Sequence, residues 1–373
     1  MAILRCNKRP PPAPSETAMP LSRRSTLTQY LIEERRRYPE ASGEFNALLL
    51  DVALACKAVA RRVAHGALGG LHEGDRAPAA LDETAQDAFL RANEWGGHLA
   101  AMASRERAEP CAIPAEYARG KYLLVFDALD GSGNSDVNLP VGSVFSVLRA
   151  PAAVVGAGGR PAQAADFLQA GAQQVAAGYA IYGPSTMLVL TVGSGVHGFT
   201  LDPTLGEFTL THPRMTVPSD TGEFAINASH ARGWEAPIKR YVDECLAGRP
   251  GVRGKDFTLR WIDSLVAEAH RILLRGGVFL DPRDARDPAH AGRLRLLFEA
   301  NPIGFIMEQA GGRASTGHGP LLQVSPGDLH QRTGLVFGSR HEVERIERYH
   351  REPALVTDRA PLFAERSLFR DAA

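Results

Sequence analysis

Two aspartates three residues apart, Asp127 and Asp130, close a short apolar run and lead into Gly131-Ser132-Gly133-Asn134. Carboxylates at a strand's end cannot point into a core unpaired, because an uncompensated buried charge is too costly. Convergence on a divalent cation resolves their repulsion and offers the hard oxygen ligands that Mg²⁺ prefers. The glycine-containing turn leaves consecutive backbone N–H groups free to hold a phosphate, the more so where a helix begins. Carboxylates, metal and phosphate cradle together describe a phosphatase or phosphotransfer site. The same string also suits an Asp-rich β-turn with Asx caps. On these residues alone both readings stand.

The elements that must position the motif are legible around it. Tyr122-Leu123-Leu124-Val125-Phe126 is a continuous apolar run, the pattern of a strand buried on both faces. Upstream, Ser25-Thr26 can cap a helix running to about Arg37 and ended by Pro39. A second helix carries Phe45, Leu48, Leu49, Val52, Cys56, Val59 and Val63 on one face. Residues 66–80 lack periodicity and read as a mobile loop, and a third helix is expected over 82–93. Further strands are predicted at 143–149, 174–182, 187–192, 198–201 and 207–211, the last two joined by the turn Asp202-Pro203-Thr204-Leu205-Gly206. Helices follow at 234–246 and 262–275, a strand at 278–280, and a helix at 302–309 stopped by Gly311-Gly312. Strands and helices without strict alternation argue for a layered α/β (α+β) fold and against a barrel. The organisation expected is a disordered tail (1–22), an N-terminal subdomain with the motif (23–200), a C-terminal subdomain (201–350) and a C-terminal tail (351–373).

Length and charge narrow the function classes. At 373 residues the chain suits about two subdomains. Its 42 Lys+Arg balance 42 Asp+Glu. A neutral whole makes nucleic acid or an anionic membrane a poor default partner, so an anionic ligand must be held by local charges. Cys6, Cys56, Cys111 and Cys245 form no CxxC pair and have no interleaved histidines, which argues against a disulfide scaffold or zinc site and for reduced thiols in the cytoplasm. No run approaches the roughly 18 apolar residues of a membrane span.

The longer context narrows further. Asp127 to Asn134 resembles the D-P-L-D-G-S-S-N signature of class 1 fructose-1,6-bisphosphatases, and the looser D-x-x-D-G-[ST]-x-N of the inositol-monophosphatase superfamily. Gly120-Lys121-Tyr122, Val141-Gly142-Ser143-Val144-Phe145-Ser146, Gln174–Tyr179, Phe224-Ala225-Ile226-Asn227, Ser264–Arg271 and Leu294–Pro302 are similar to family blocks in the same order. The likeness spans about Leu27 to Val343.

The resemblance implies a sugar-phosphatase fold and Mg²⁺-dependent hydrolysis of fructose 1,6-bisphosphate to fructose 6-phosphate, with sedoheptulose 1,7-bisphosphate as a further candidate. It implies metal ligation by Asp127, Asp130, Glu299 and the Leu129 carbonyl, with more than one ion per site. Asp130, Gly131, Ser132 and Gly133 would hold the 1-phosphate. Asn227, Arg260, Trp261 and Arg293 would hold the sugar and 6-phosphate, Arg260 reaching across a homotetramer interface. Asp127, Asp130 and Glu106 are the catalytic candidates.

Departures fall on the site itself. Where the family reads A-x-x-S-E-E, Ala101 to Glu106 places Arg105 at a metal ligand, leaving Glu106 to substitute. Ala128 stands for the motif's proline, Gly133 for a serine, and Arg293 for the usual Lys. Asp281 replaces a Tyr beside the 6-phosphate, where an anion would repel substrate. Of a loop motif of the type N-x-x-G-x-x-x-K-K-L-D, only Asp82 and its leucine survive clearly, with Ala79 and Ala80 for the lysines. Two expectations follow: a working sugar bisphosphatase, or a degenerate paralogue that binds sugar phosphates or partners with weak turnover.

Overall fold

The structure, a computed structural model, describes residues 25–37, 43–66, 77–156, 158–287 and 291–352. The expected tails at 1–22 and beyond 352, Pro39, and residues 67–76 of the expected loop lie outside the described residues.

Three helices come first: α1 (Leu27–Arg37), α2 (Gly43–His65) and α3 (Ala77–Asn93). Thr26 and Gln29 exchange side-chain-to-backbone bonds of 3.0 and 3.3 Å, a reciprocal cap that starts α1 where Ser25-Thr26 suggested. α3 begins five residues earlier than the expected Asp82, so 77–80 belong to a helix and not to the loop.

An eight-stranded sheet follows, ordered β2-β1-β3-β4-β5-β6-β7-β8. Its strands are β1 (Leu99–Ser104), β2 (Cys111–Ala112), β3 (Tyr122–Asp130), β4 (Val141–Arg149), β5 (Ala176–Tyr182), β6 (Thr186–Thr191), β7 (Val196–Asp202) and β8 (Glu207–Met215); a short α4 (Ala164–Phe167) precedes β5. β1 runs parallel to β3 and the other pairs are antiparallel. Side-chain alternation divides the central strands between two cores. Leu124, Phe126 and Phe145 pack under α1–α3, with Phe89 stacked on Phe126 at 4.9 Å. Val144, Ala177 and Tyr179 face the opposite way.

That opposite face meets α6 (Leu265–Arg275) and α7 (Asn301–Gln309), which also contact a five-stranded sheet ordered β10-β9-β11-β15-β13. Its strands are β9 (Glu223–Ile226), β10 (Thr258–Leu259), β11 (Val278–Asp281), β13 (Arg313–Ser315) and β15 (Leu335–Gly338); β12 (Leu294–Arg295) and β14 (Arg332–Thr333) pair separately. The outer face of this second sheet is covered by α5 (Ala236–Leu246) and α8 (Arg340–Arg351). Helix and sheet layers therefore alternate, as the mixed sequence pattern implied.

Among the elements not expected from the sequence, three stand out. β1 reads LAAMAS, a helix-favouring alanine string that is strand because every side chain is buried beside β3. β15 is short and follows loop-like residues. α8, RHEVERIERYHR, is polar on most of its surface, yet it buries Val343, Ile346 and Tyr349.

Candidate active site

The register of β3 against β4 explains how Asp127 and Asp130 reach one place. In a regular strand, residues three apart point to opposite faces. Here Asp127 lies opposite Val144 and Asp130 opposite Gly142, so two residues of β3 oppose Ser143 alone. This β-bulge rephases the strand. Ser143 Oγ fixes it by donating to the Ala128 carbonyl at 2.7 Å. The strand also continues through Asp130 instead of stopping before Asp127.

Glu299 arrives from elsewhere, on a π-helical turn (Leu296–Ala300) that runs directly into α7. Such turns admit an extra residue and recur at functional sites. One oxygen from each of Asp127, Asp130 and Glu299 lies within 4.8 Å of the others. All three side chains are buried. The expectation that the aspartates avoid the interior is thus corrected: they are interior, and compensation comes from neighbours.

Those neighbours differ. Asp130 Oδ2 accepts from Val266 N at 3.1 Å and Ser264 Oγ at 3.3 Å, at the start of α6, where the helix dipole favours an anion. Glu299 Oε2 accepts from Arg295 N at 2.5 Å. Asp127 Oδ1 accepts from Leu129 N at 3.3 Å, whereas its buried Oδ2 has no hydrogen-bond partner. Arg105, just past β1, aims its Nε at that gap, 3.5 Å from Asp127 Oδ2 and 3.6 Å from Glu299 Oε1. Arg105 Nη1 donates to Glu106 Oε1 at 2.6 Å. Arg105 therefore points into the carboxylates. Glu106, half-exposed, pairs with Arg105 and lies outside the converging set.

The electrostatics follow from this geometry. Burial pushes Asp127 well above the usual carboxylate range, opposed by Arg105 and reinforced by Glu299. Burial likewise raises Asp130, opposed by the Val266 N–H, and lifts Glu299 to about 7, opposed by Arg105. Burial alone would lower Arg105, but the four surrounding carboxylates raise it. A cluster of this kind is short of positive charge, and a hard divalent cation fits its oxygen-only donors.

The following turn has the expected form, with a shorter helix. Gly131 takes φ 71°, ψ 30°, a conformation that disfavours side chains, and a single 3₁₀ turn (Ser132–Asn134) replaces a full helix start. Asn134 Nδ2 tethers the turn to the Asp263 carbonyl at 3.1 Å. Asp82, on α3, hydrogen-bonds Ser132; burial lifts its pKa to about 6, helped by Glu106 and opposed by Arg105. Sequence reading kept Asp82 only as the remnant of a loop motif. Its place on α3 beside the turn makes it a site residue.

The sugar-side candidates occupy the second sheet. Asn227, after β9, accepts from Ser229 N and Oγ at 3.1 and 2.6 Å. Trp261 lies half-buried, its ring stacked on Phe279 with centroids 5.9 Å apart. Arg260 is exposed, its Nε 3.5 Å from Glu223 Oε1. Arg293 contacts His230 and pairs with buried Asp281. The expected repulsion from Asp281 is thereby changed: burial raises its pKa while Arg293 supplies the countercharge. His230, Arg293, Arg283 and Arg332 help line a cavity of about 420 Å³.

Two family models match end to end: the N-terminal domain of fructose-1,6-bisphosphatase over residues 25–213 and its C-terminal domain over 217–351. The chain belongs to the class 1 fructose-1,6-bisphosphatase family. Class 1 fructose-1,6-bisphosphatase from Hydrogenophilus thermoluteolus is 64% identical over 355 residues, covering 93% of this chain and 97% of that protein. A class 1 relative from Methylibium petroleiphilum is 58% identical over 362 residues, covering 95% and 100%. The crystal structure of Leishmania major fructose-1,6-bisphosphatase in holo form superimposes with a TM-score of 0.78 at 35% identity, covering 88% of this chain and 99% of that one. Against the fructose-1,6-bisphosphatase pattern quoted above, Arg105 is the departure that the geometry places deepest in the site. No helix among the described residues is long and apolar enough to cross a membrane.

Proposed function

We propose that the chain is a metal-dependent sugar bisphosphatase that releases the 1-phosphate of fructose 1,6-bisphosphate to give fructose 6-phosphate. The convergence of Asp127, Asp130 and Glu299 beside the Gly131 turn carries the reading. Relatives named class 1 fructose-1,6-bisphosphatase over nearly the whole length support turnover over a purely binding role. Asp127, Asp130, Glu299 and the Leu129 carbonyl would hold the cation, Mg²⁺ by donor hardness. When bound it would polarise the phosphoryl oxygens and lower the pKa of attacking water.

The chain's own residues do the rest. The amides of Gly131, Ser132 and Gly133 orient the 1-phosphate for in-line displacement. Asp82, with a pKa of about 6, is ionised at neutral pH yet basic enough to take a proton, and Glu106 lies near it to share that work. Asn227, Trp261 and Arg293 grip the 6-phosphate end, and Arg260 serves a neighbouring subunit's site in a homotetramer. Arg105 neutralises the carboxylates and contests their ground with the cation.

The test is phosphate release from fructose 1,6-bisphosphate, sedoheptulose 1,7-bisphosphate and sugar monophosphates, with and without Mg²⁺. Release from the bisphosphates only, and only with Mg²⁺, is expected. A flat panel from folded protein replaces hydrolysis with sugar-phosphate binding.

A further inference from the structure

Away from the carboxylates, three polar side chains from distant parts of the sequence meet at the edge of the second sheet. Glu235 precedes α5, His318 sits in the turn after β13, and His350 lies in the last turn of α8. One donor atom from each lies within 4.8 Å of the other two. Glu235 Oε1 is 3.3 Å from His318 Nε2, and Oε2 is 3.4 Å from His350 Nε2.

His350 carries the argument. Its side chain is 4% exposed. Nδ1 lies 2.9 Å from the Ile346 carbonyl, which can only accept, so Nδ1 bears the proton. Nε2 is then the ring atom left to bind a ligand: it is buried, makes no well-aligned hydrogen bond, and lies beside the Glu235 carboxylate and His318. A carbonyl on one ring nitrogen and a free lone pair on the other is the arrangement in which proteins present histidine to a metal.

The other two donors are also built in. The His318 turn is closed by Ser315 Oγ on the Gly319 carbonyl (2.9 Å), and the Gly317 N–H donates to Ser315 Oγ (3.0 Å). Gly317 has φ 93°, and a Cβ there would sit 3.6 Å from His350 Cε1. The positive φ favours glycine there, so residue type holds the shape of the turn beside α8. His318 is 41% exposed and Glu235 22%, so one side stays open to solvent for a further ligand.

We infer that Glu235, His318 and His350 form a second metal site, for a divalent transition ion of the zinc class. Two imidazoles and one carboxylate suit such an ion and not Mg²⁺, which takes oxygen donors and keeps its waters. Three protein ligands with an open fourth position complete a tetrahedral set. Bound there, the ion ties the start of α5, the turn after β13 and the end of α8 into one unit. Arg283, whose charge reaches both Glu235 and His318, sets the competing positive charge that the ion must overcome.

The test uses the full chain, stripped with chelator and dialysed against Zn²⁺ in excess Mg²⁺, with bound metal counted by atomic emission. Wild type and Asp127→Asn should each keep one Zn²⁺ per chain. His318→Ala and Glu235→Gln, folded by circular dichroism, should bind it more weakly by at least about 10-fold, the loss that even an outer partner of a ligand brings. Undiminished Zn²⁺ in either variant, loss in Asp127→Asn, or none on folded wild type overturns the site. His318 is half-open to solvent, so its replacement tests binding without emptying a core.

Discussion

The carboxylate cluster and the His–Glu cluster solve opposite problems. Asp127, Asp130 and Glu299 crowd like charges into the interior, and the fold gives them one guanidinium and a helix start in return. Without a cation that region is strained electrostatically, and a buried oxygen of Asp127 stays unsatisfied. Glu235, His318 and His350 gather one carboxylate between two imidazoles, so no like charges are crowded together there. One region needs positive charge to be stable; the other only offers donors to it. Hard and borderline ions should therefore sort between them, with Arg105 as rival in the first and protons as rivals in the second.

The largest blow to this contrast falls on the first region. Asp127→Ala should cut bisphosphatase turnover by about 10³-fold, at the upper end of what one charge-stabilising group supplies. Its Zn²⁺ stoichiometry should stay unchanged. Wild-type turnover in that variant would remove the proposed site.

Arg105→Glu comes next. At 4 Å and an effective dielectric of 20, one unit-charge pair is worth about 4 kcal/mol, less for a side chain a third exposed such as Arg105. Mg²⁺ should bind about 10- to 100-fold tighter, read by Mg²⁺ titration of phosphate release and by calorimetry. Unchanged affinity would mean that Arg105 leaves the cation's ground when substrate binds.

The smallest effect is a pH dependence. Glu299, raised to about 7, holds a proton in the folded chain that it sheds nearer 4.5 when unfolded. Its burial is thus neutral for stability in acid and costs progressively more as pH rises through that window, up to the folded pKa. Metal must displace this proton, so Mg²⁺ affinity should rise by up to about 10-fold between about pH 6 and 8. Glu299→Gln should flatten the profile in calorimetry. A profile flat in wild type would place Glu299 ionised throughout.

Much of the first region was written in local sequence. Asp127, Asp130 and Gly131 are neighbours in the chain, and the apolar run before them announces a buried strand. The bulge that aligns the two aspartates was not legible, because it arises from pairing with Val144 and Gly142 across the sheet. Arg105 was visible as a departure, but its direction was open until β1 was paired with β3. Asp82 was under-read because its role depends on where α3 presents it to Ser132. The second region left no signal at all. Its three donors are far apart in sequence, and the cysteine-centred reading that argued against zinc had no means of pairing two lone histidines with a glutamate.

The bulge at Ala128-Leu129 also fixes what kinds of change this chain can inherit. Substitution within it alters volume or stiffness, and the frame of alternation survives. Loss of a single residue there would restore regular pleating with the two aspartates two positions apart on one face, leaving one intervening carbonyl where the bulge supplies two, that of Leu129 and that of Ala128, which takes the Ser143 Oγ bond. One codon deleted at this point would thus keep both aspartates on one face yet remove either the Ser143 anchor or the Leu129 carbonyl, with every strand, helix and loop length outside it intact.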